Sequence, residues 1–300
     1  MLSGSLVAIV TPMQDDGGLD LDAWDRLLDL HLQAGTRGIV VGGSTGESVT
    51  LTEDEQATLL ARARRRIAGR MTLIAGVGGS STAAVTARVK QLAGAGLDAV
   101  LVVTPAYNRP TQEGLYRHFT AIAASAPAPV VLYNVPSRTA VDLLPATVAR
   151  LAELPGLIGI KEAMGDVQRI RELVACVPAD FSVLSGDDAT ACEAVLAGAR
   201  GVISVTANVV PQAVATVMQA ALRGERAVAE QADRRLAALH RDLAVESNPI
   251  PVKWALAEMG LIRTGIRLPL TWLSESLRPR VRAALEAAQS AVDVPQARRA

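Results

Sequence analysis

Cysteine is almost absent: only Cys176 and Cys192 occur among 300 residues. Their spacing matches no metal-ligand or redox arrangement. Both fall in predicted helices, where a thiol acts as a small buried apolar group. Histidine is nearly as scarce. His31, His118 and His240 are scattered without paired spacing, so no metal site is expected. An excess of either charge is also missing, because 30 Lys plus Arg balance 30 Asp plus Glu. A nucleic-acid binder usually carries a basic excess, so the balance argues against that class. The densest basic cluster is Arg62, Arg64, Arg65 and Arg66, late in a predicted helix that starts with Glu53, Asp54 and Glu55. Acid first and base last complement the helix dipole, so the cluster reads as a solvated face. No apolar run approaches the ~20 residues of a membrane span. No basic residue precedes Arg26, which is unlike a secretory leader, so a cytoplasmic location is expected. Nucleotide loops are missing as well. No Gly-Lys-Ser/Thr follows Gly42-Gly43-Ser44-Thr45, and Gly76-Val77-Gly78-Gly79 lacks the third glycine of a dinucleotide fingerprint.

What is present is a regular rhythm. Half the residues are hydrophobic, enough for a large core. Short apolar, β-branched runs recur at 5–10, 38–41, 71–75, 97–103, 129–133, 157–161, 181–184 and 201–205. Helical stretches separate them, and the one after residue 50 opens with the capping-box spacing Thr52-Glu53-Asp54-Glu55. Runs this apolar suit parallel strands covered on both faces. Eight strand–helix units at near-even spacing predict a (β/α)8 TIM barrel over residues 1–223, with an open doubly wound sheet as the rival. From Gly224 the strands stop. Residues 224–300 read as a C-terminal helical extension, with helices near 225–244, 251–260 and 278–288 and a loose tail over 293–300.

The chemistry centres on Leu157-Ile158-Gly159-Ile160-Lys161, an apolar strand ending in a lysine. A lysine in that place usually points into solvent. In a barrel of this kind, however, strand C-terminal ends carry the active site, and an amine there can attack carbonyls. Other strand ends supply partners. Ser44 and Thr45 lie in a glycine-rich turn whose amides could hold a carboxylate. Tyr107 and Tyr133, two of only three tyrosines, end strands four and five and could relay protons. Arg138 could grip a carboxylate bidentately. Gly186 follows strand seven, where a ligand could approach the backbone. Each of these alone has a plainer structural reading. Together they describe an imine-forming aldolase that needs no cofactor and no metal, because the protonated imine is itself the electron sink.

The chain also resembles the dihydrodipicolinate synthase family of pyruvate-dependent class I aldolases. The likeness runs from Gly4 to about residue 285. It rests on Ser44-Thr45-Gly46-Glu47-Ser48, Tyr107-Asn108-Arg109-Pro110, Tyr133-Asn134-Val135-Pro136-Ser137-Arg138-Thr139, Gly159-Ile160-Lys161-Glu162-Ala163, Leu184-Ser185-Gly186-Asp187-Asp188, Gly201-Val202-Ile203-Ser204-Val205 and Asn248-Pro249-Ile250-Pro251-Val252-Lys253. The resemblance implies condensation of pyruvate with aspartate semialdehyde, on the way to diaminopimelate and lysine. It implies Lys161 as the Schiff-base residue, Tyr133 as its proton-transfer group, and Thr45 linking Tyr133 to Tyr107. Tyr107 would reach into a neighbouring subunit, Arg138 would hold the semialdehyde carboxylate, and Gly186 and Ile203 would contact the pyruvate-derived part. A homotetramer built as a dimer of dimers is implied too.

Two departures matter. The turn reads Ser44-Thr45 where the family more often has Thr-Thr. Ser-Thr also occurs in the related N-acetylneuraminate lyases, but those lack the Ser137-Arg138 pair. At the positions where regulated relatives bind lysine stand Ser48, Val49, Glu53, Gln56, Ser80, Ala84 and Ala106. Ala84 and Ala106 cannot bind an ammonium, so lysine inhibition is expected to be weak or absent. Two readings compete with the synthase: a pyruvate aldolase acting on a sugar acid such as 2-keto-3-deoxygluconate or N-acetylneuraminate, and an idle ligand-binding barrel.

Overall fold

The computed structural model describes residues 1–292. Strands and helices alternate as expected. β1 (Gly4–Ala8) leads to α1 (Leu21–Gln33), β2 (Gly38–Val41) to α2 (Glu53–Ile67), β3 (Thr72–Val77) to α3 (Thr82–Gln91) and β4 (Ala99–Val103) to α4 (Gln112–Ala123). β5 (Val130–Asn134) runs into a single helical turn, α5 (Pro136–Thr139), and then α6 (Pro145–Ala152). β6 (Leu157–Glu162) precedes α7 (Val167–Cys176), β7 (Ser182–Ser185) precedes α8 (Ala191–Leu196), and β8 (Gly201–Ser204) precedes α9 (Pro211–Leu222). The eight strands pair in sequence order, and β8 pairs with β1 in parallel, so the barrel is closed and the open sheet is ruled out.

Closure depends on small residues at the seam. Gly4 and Gly201 are register partners, and a Cβ on Gly201 would lie 2.1 Å from the Gly4 carbonyl oxygen. Any side chain there would push β1 and β8 apart. Elsewhere the two-residue period sorts the strands between two cores. Leu6, Val40, Ile74, Leu101, Val131, Tyr133, Leu184 and Ile203 fill the barrel. Val7, Ile39, Leu73, Val100, Leu132, Ile160, Val183 and Val202 face the helix layer. Because Ile160 faces outward, Gly159 and Lys161 face inward.

Beyond Gly224 come α10 (Arg226–Arg234), α11 (Ala237–Asp242), α12 (Ile250–Glu258) and α13 (Arg278–Val292). The one helix expected over 225–244 is two, broken at Arg235 and Leu236. Among the described residues these helices form no separate core. Leu239, Val252, Trp254 and Val281 join the layer around the barrel, so residue 224 marks an end of the strand rhythm rather than a gap in packing. The tail expected over 293–300 lies outside the described residues.

Local signals held with one correction. The capping box is present: Glu55 N–H donates to Thr52 Oγ1 at 3.2 Å and Thr52 N–H to Glu55 Oε2 at 2.8 Å. The basic cluster on α2 lies on a solvated face as expected, with Arg64, Arg65 and Arg66 exposed and Arg62 half-buried; Arg62 Nε also donates to Asp25 Oδ1 at 2.8 Å and Arg66 Nε to Asp29 Oδ1 at 2.7 Å, tying α2 to α1. Cys192 is buried as expected, but Cys176 is exposed. It is the last residue of α7, past Ile170 and Leu173, the stripe this helix buries. Among the described residues no helix is long and apolar enough to cross a membrane.

Candidate active site

Lys161 and Tyr133 are register partners on neighbouring strands, so both side chains leave the sheet at one height and on one face. Lys161 is 5% exposed, and its Nζ lies 4.5 Å from the centre of the Tyr133 ring, itself 8% exposed. Amine and phenol therefore share the mouth at the C-terminal ends of the strands. The chain has only two other lysines. Lys90 is exposed on α3, and Lys253 is fully buried in α12.

Gly186, just after β7, makes room for the amine. A Cβ there would lie 2.8 Å from Lys161 Cε and 3.0 Å from its Cγ. The glycine clears the path of the lysine chain itself, a role the sequence alone did not suggest. Ile203 on β8 is fully buried in the same inner core. Behind the lysine, Glu162 faces the other way and is also buried. Burial raises its carboxyl above the usual carboxylate range. Asn134 Nδ2 donates to Glu162 Oε2 at 3.0 Å, and Met164 N–H donates to Oε1 at 3.0 Å. These bonds anchor the end of β6, and with it the root of Lys161.

The turn after β2 is folded by its own backbone. Gly46 N–H donates to the Gly43 carbonyl at 3.0 Å, and Glu47 N–H to the Ser44 carbonyl at 3.2 Å. Among the described residues, the N–H groups of Ser44 and Thr45 have no such partner. Two adjacent amides without a backbone partner, beside two hydroxyls, are the kind of groups from which anion-binding concavities are built. Thr45 is buried, and its Oγ1 accepts from Asn248 Nδ2 at 2.9 Å; among the described residues neither tyrosine bonds to it. Ser44 is half-buried.

Arg138 lies on α5 with its guanidinium exposed, and Nη2 donates to the Asn248 carbonyl at 3.1 Å. Tyr107 is elsewhere. Its side chain is 94% exposed, so within one chain it does not join Tyr133. Its φ of +75° and that of Arg109, +47°, are left-handed, which non-glycine residues adopt when the surroundings enforce it. Ser80 enforces it in part: Ser80 Oγ donates to the Ala106 carbonyl at 2.7 Å, and Asn108 Nδ2 donates to the Ser80 carbonyl at 2.8 Å.

Sequence reasoning missed the supports from the C-terminal part. Asn248 touches both Thr45 and Arg138, and Lys253 pairs with Glu47 where both side chains are fully buried. A lysine inside the apolar run Ile250–Leu256 was the available signal, since a buried lysine needs an acid beside it.

The family model described as the dihydrodipicolinate synthetase family matches residues 1–288. The 4-hydroxy-tetrahydrodipicolinate synthase of Methylococcus capsulatus is 54% identical over 291 residues, covering 96% of this chain and 99% of that one. The crystal structure of the chloride-inhibited dihydrodipicolinate synthase from Acinetobacter baumannii, complexed with pyruvate, superposes with a TM-score of 0.95 at 48% identity, covering 96% of this chain and 99% of that one. The Cyanidioschyzon merolae enzyme, crystallised with lysine bound, superposes with a TM-score of 0.91 at 34% identity over 96% of this chain and 98% of that one.

Proposed function

The chain belongs to the dihydrodipicolinate synthetase family, and on that premise we propose that Lys161, Tyr133 and the Ser44–Thr45 turn carry its chemistry. It is a class I aldolase-type lyase, a 4-hydroxy-tetrahydrodipicolinate synthase that condenses pyruvate with L-aspartate 4-semialdehyde in lysine and diaminopimelate synthesis. The observation that carries the assignment of roles is the buried Lys161 amine beside the Tyr133 ring.

The Lys161 amine adds to the keto carbon of pyruvate, and the carbinolamine loses water to give a protonated imine. The imine withdraws electrons from the adjacent methyl carbon, which gives up a proton and becomes an enamine. That carbon attacks the aldehyde, whose oxygen becomes the new hydroxyl. The amine of the semialdehyde then adds to the imine carbon and expels Lys161, closing the ring. No resident metal or cofactor enters these steps. Tyr133 moves the protons at the carbinolamine. The free amides of Ser44 and Thr45 hold the pyruvate carboxylate, and Gly186 and Ile203 border the pyruvate-derived carbons. Arg138 holds the semialdehyde carboxylate, its planar fork suiting a bidentate grip.

Tyr107 serves the site of a neighbouring subunit, with Thr45 in the hydroxyl path between it and Tyr133. Its near-complete exposure and its strained backbone support that role. The smallest complete unit is then a dimer, and two dimers make a homotetramer. The setting is cytoplasmic.

Steady-state turnover tests the substrate. Aspartate semialdehyde supports turnover, whereas the aldehydes that build 2-keto-3-deoxygluconate or N-acetylneuraminate do not. Preference for either of those aldehydes would refute the assignment of Arg138.

Lysine is expected to inhibit weakly or not at all. Arg88 Nη1 lies 2.6 Å from Glu53 Oε1, and its Nη2 donates to Gln56 Oε1 at 2.7 Å. An internal guanidinium thus occupies the acid and the amide that a ligand's ammonium would use, and Ala84 and Ala106 offer nothing polar in their side chains. Half-maximal inhibition at sub-millimolar lysine, measured by initial rates, would contradict this.

A further inference from the structure

We propose that Asn248, Lys253 and Glu47 are positioning residues for the keto acid: the segment entering α12 holds the Ser44–Thr45 turn in the shape that grips a carboxylate. This rests on the function proposed above.

The segment reaches the turn at two points. Asn248 Nδ2 donates to Thr45 Oγ1 at 2.9 Å. Five residues on, the Lys253 ammonium pairs with the carboxylate of Glu47, two residues after Thr45, and neither side chain is exposed to solvent. The other oxygen of that carboxylate, Oε2, accepts from the Arg267 N–H at 3.1 Å. Glu47 sits at φ +56°, a left-handed conformation that a non-glycine residue keeps only where its neighbours impose it. Here the backbone bonds of the turn and the ion pair hold it together.

Stability alone is a poor reason for such a pair. A buried ion pair often contributes no more than apolar groups of the same size, and geometric specificity is its better-attested use. The hydrogen bond from Asn248 adds a chemical consequence. It occupies a lone pair of the Thr45 hydroxyl with a donor, so the hydroxyl hydrogen is left to point elsewhere. Thr45 is thereby set to donate along the hydroxyl path, while its anchored backbone amide is held for the carboxylate.

Two variants test this in the full-length protein. Asn248→Ala removes the amide but keeps the backbone carbonyl that Arg138 uses. The double variant Glu47→Gln with Lys253→Met removes both charges together, so neither is left buried and unpaired. For each, the KM for pyruvate, the KM for aspartate semialdehyde, the pyruvate concentration giving half-maximal borohydride trapping, and the thermal midpoint are measured. Both variants should raise the two pyruvate constants about three- to tenfold, the equivalent of one or two hydrogen bonds, with the aldehyde KM of Asn248→Ala within about twofold of wild type. Unchanged pyruvate constants with a lowered thermal midpoint would mean a purely structural role and overturn the inference. So would equal rises in both KM values of Asn248→Ala. A wild-type chain that traps no pyruvate would defeat the proposed function, and this inference with it.

Discussion

Lys161→Ala leaves a folded protein with no pyruvate adduct and turnover reduced by ~10⁴-fold or more, as for loss of a covalent nucleophile. No other amine can substitute. Lys90 is exposed on α3, and Lys253 is buried and paired with Glu47. The fold should survive, because the alanine leaves a void beside Gly186 rather than an unpaired charge; a large-to-small change in a core costs about 2–5 kcal/mol. Circular dichroism and a thermal melt check the fold, and initial rates check turnover. Turnover within tenfold of wild type would place the nucleophile elsewhere.

Tyr133→Phe separates binding from proton transfer. Phenylalanine keeps the ring beside Nζ and its place in the inner core that Val131 and Ile203 share. Only the hydroxyl goes. Some adduct therefore still forms, while kcat falls by the ~10²–10⁴-fold of a lost general acid–base group. Single-turnover trapping beside steady-state rates measures both quantities. Normal turnover would remove Tyr133 from the mechanism.

The barrel was legible because its strands are covered on both sides. Burial on both faces leaves short continuous apolar runs, and eight of them at even spacing predict closure, which the pairing of β8 with β1 bears out. Lys161 was legible for the same reason, as the one charged group ending such a run. The split between α10 and α11 was not, because nothing at Arg235 and Leu236 resembles a helix stop. The exposure of Cys176 depends on how far α7 extends beyond its buried stripe, which residue type does not encode. Long-range contacts were the least visible. Asn248 and Thr45 are 203 positions apart, and Glu47 and Lys253 are 206 apart. Arg88 was overlooked because its partners, Glu53 and Gln56, lie on another helix. The role of Gly186 followed the same pattern: a glycine after a strand suggests ligand access, and only the path of the lysine chain reveals what its missing Cβ accommodates.

Borohydride reduction of the protein in the presence of pyruvate, followed by intact mass and peptide mapping, tests the central claim most directly. With three lysines in the chain, the map is unambiguous. One pyruvate-derived unit should appear per chain, on the peptide that carries Lys161, and nowhere else. An unmodified Lys161 peptide, or the added mass on Lys90 or Lys253, would contradict the account.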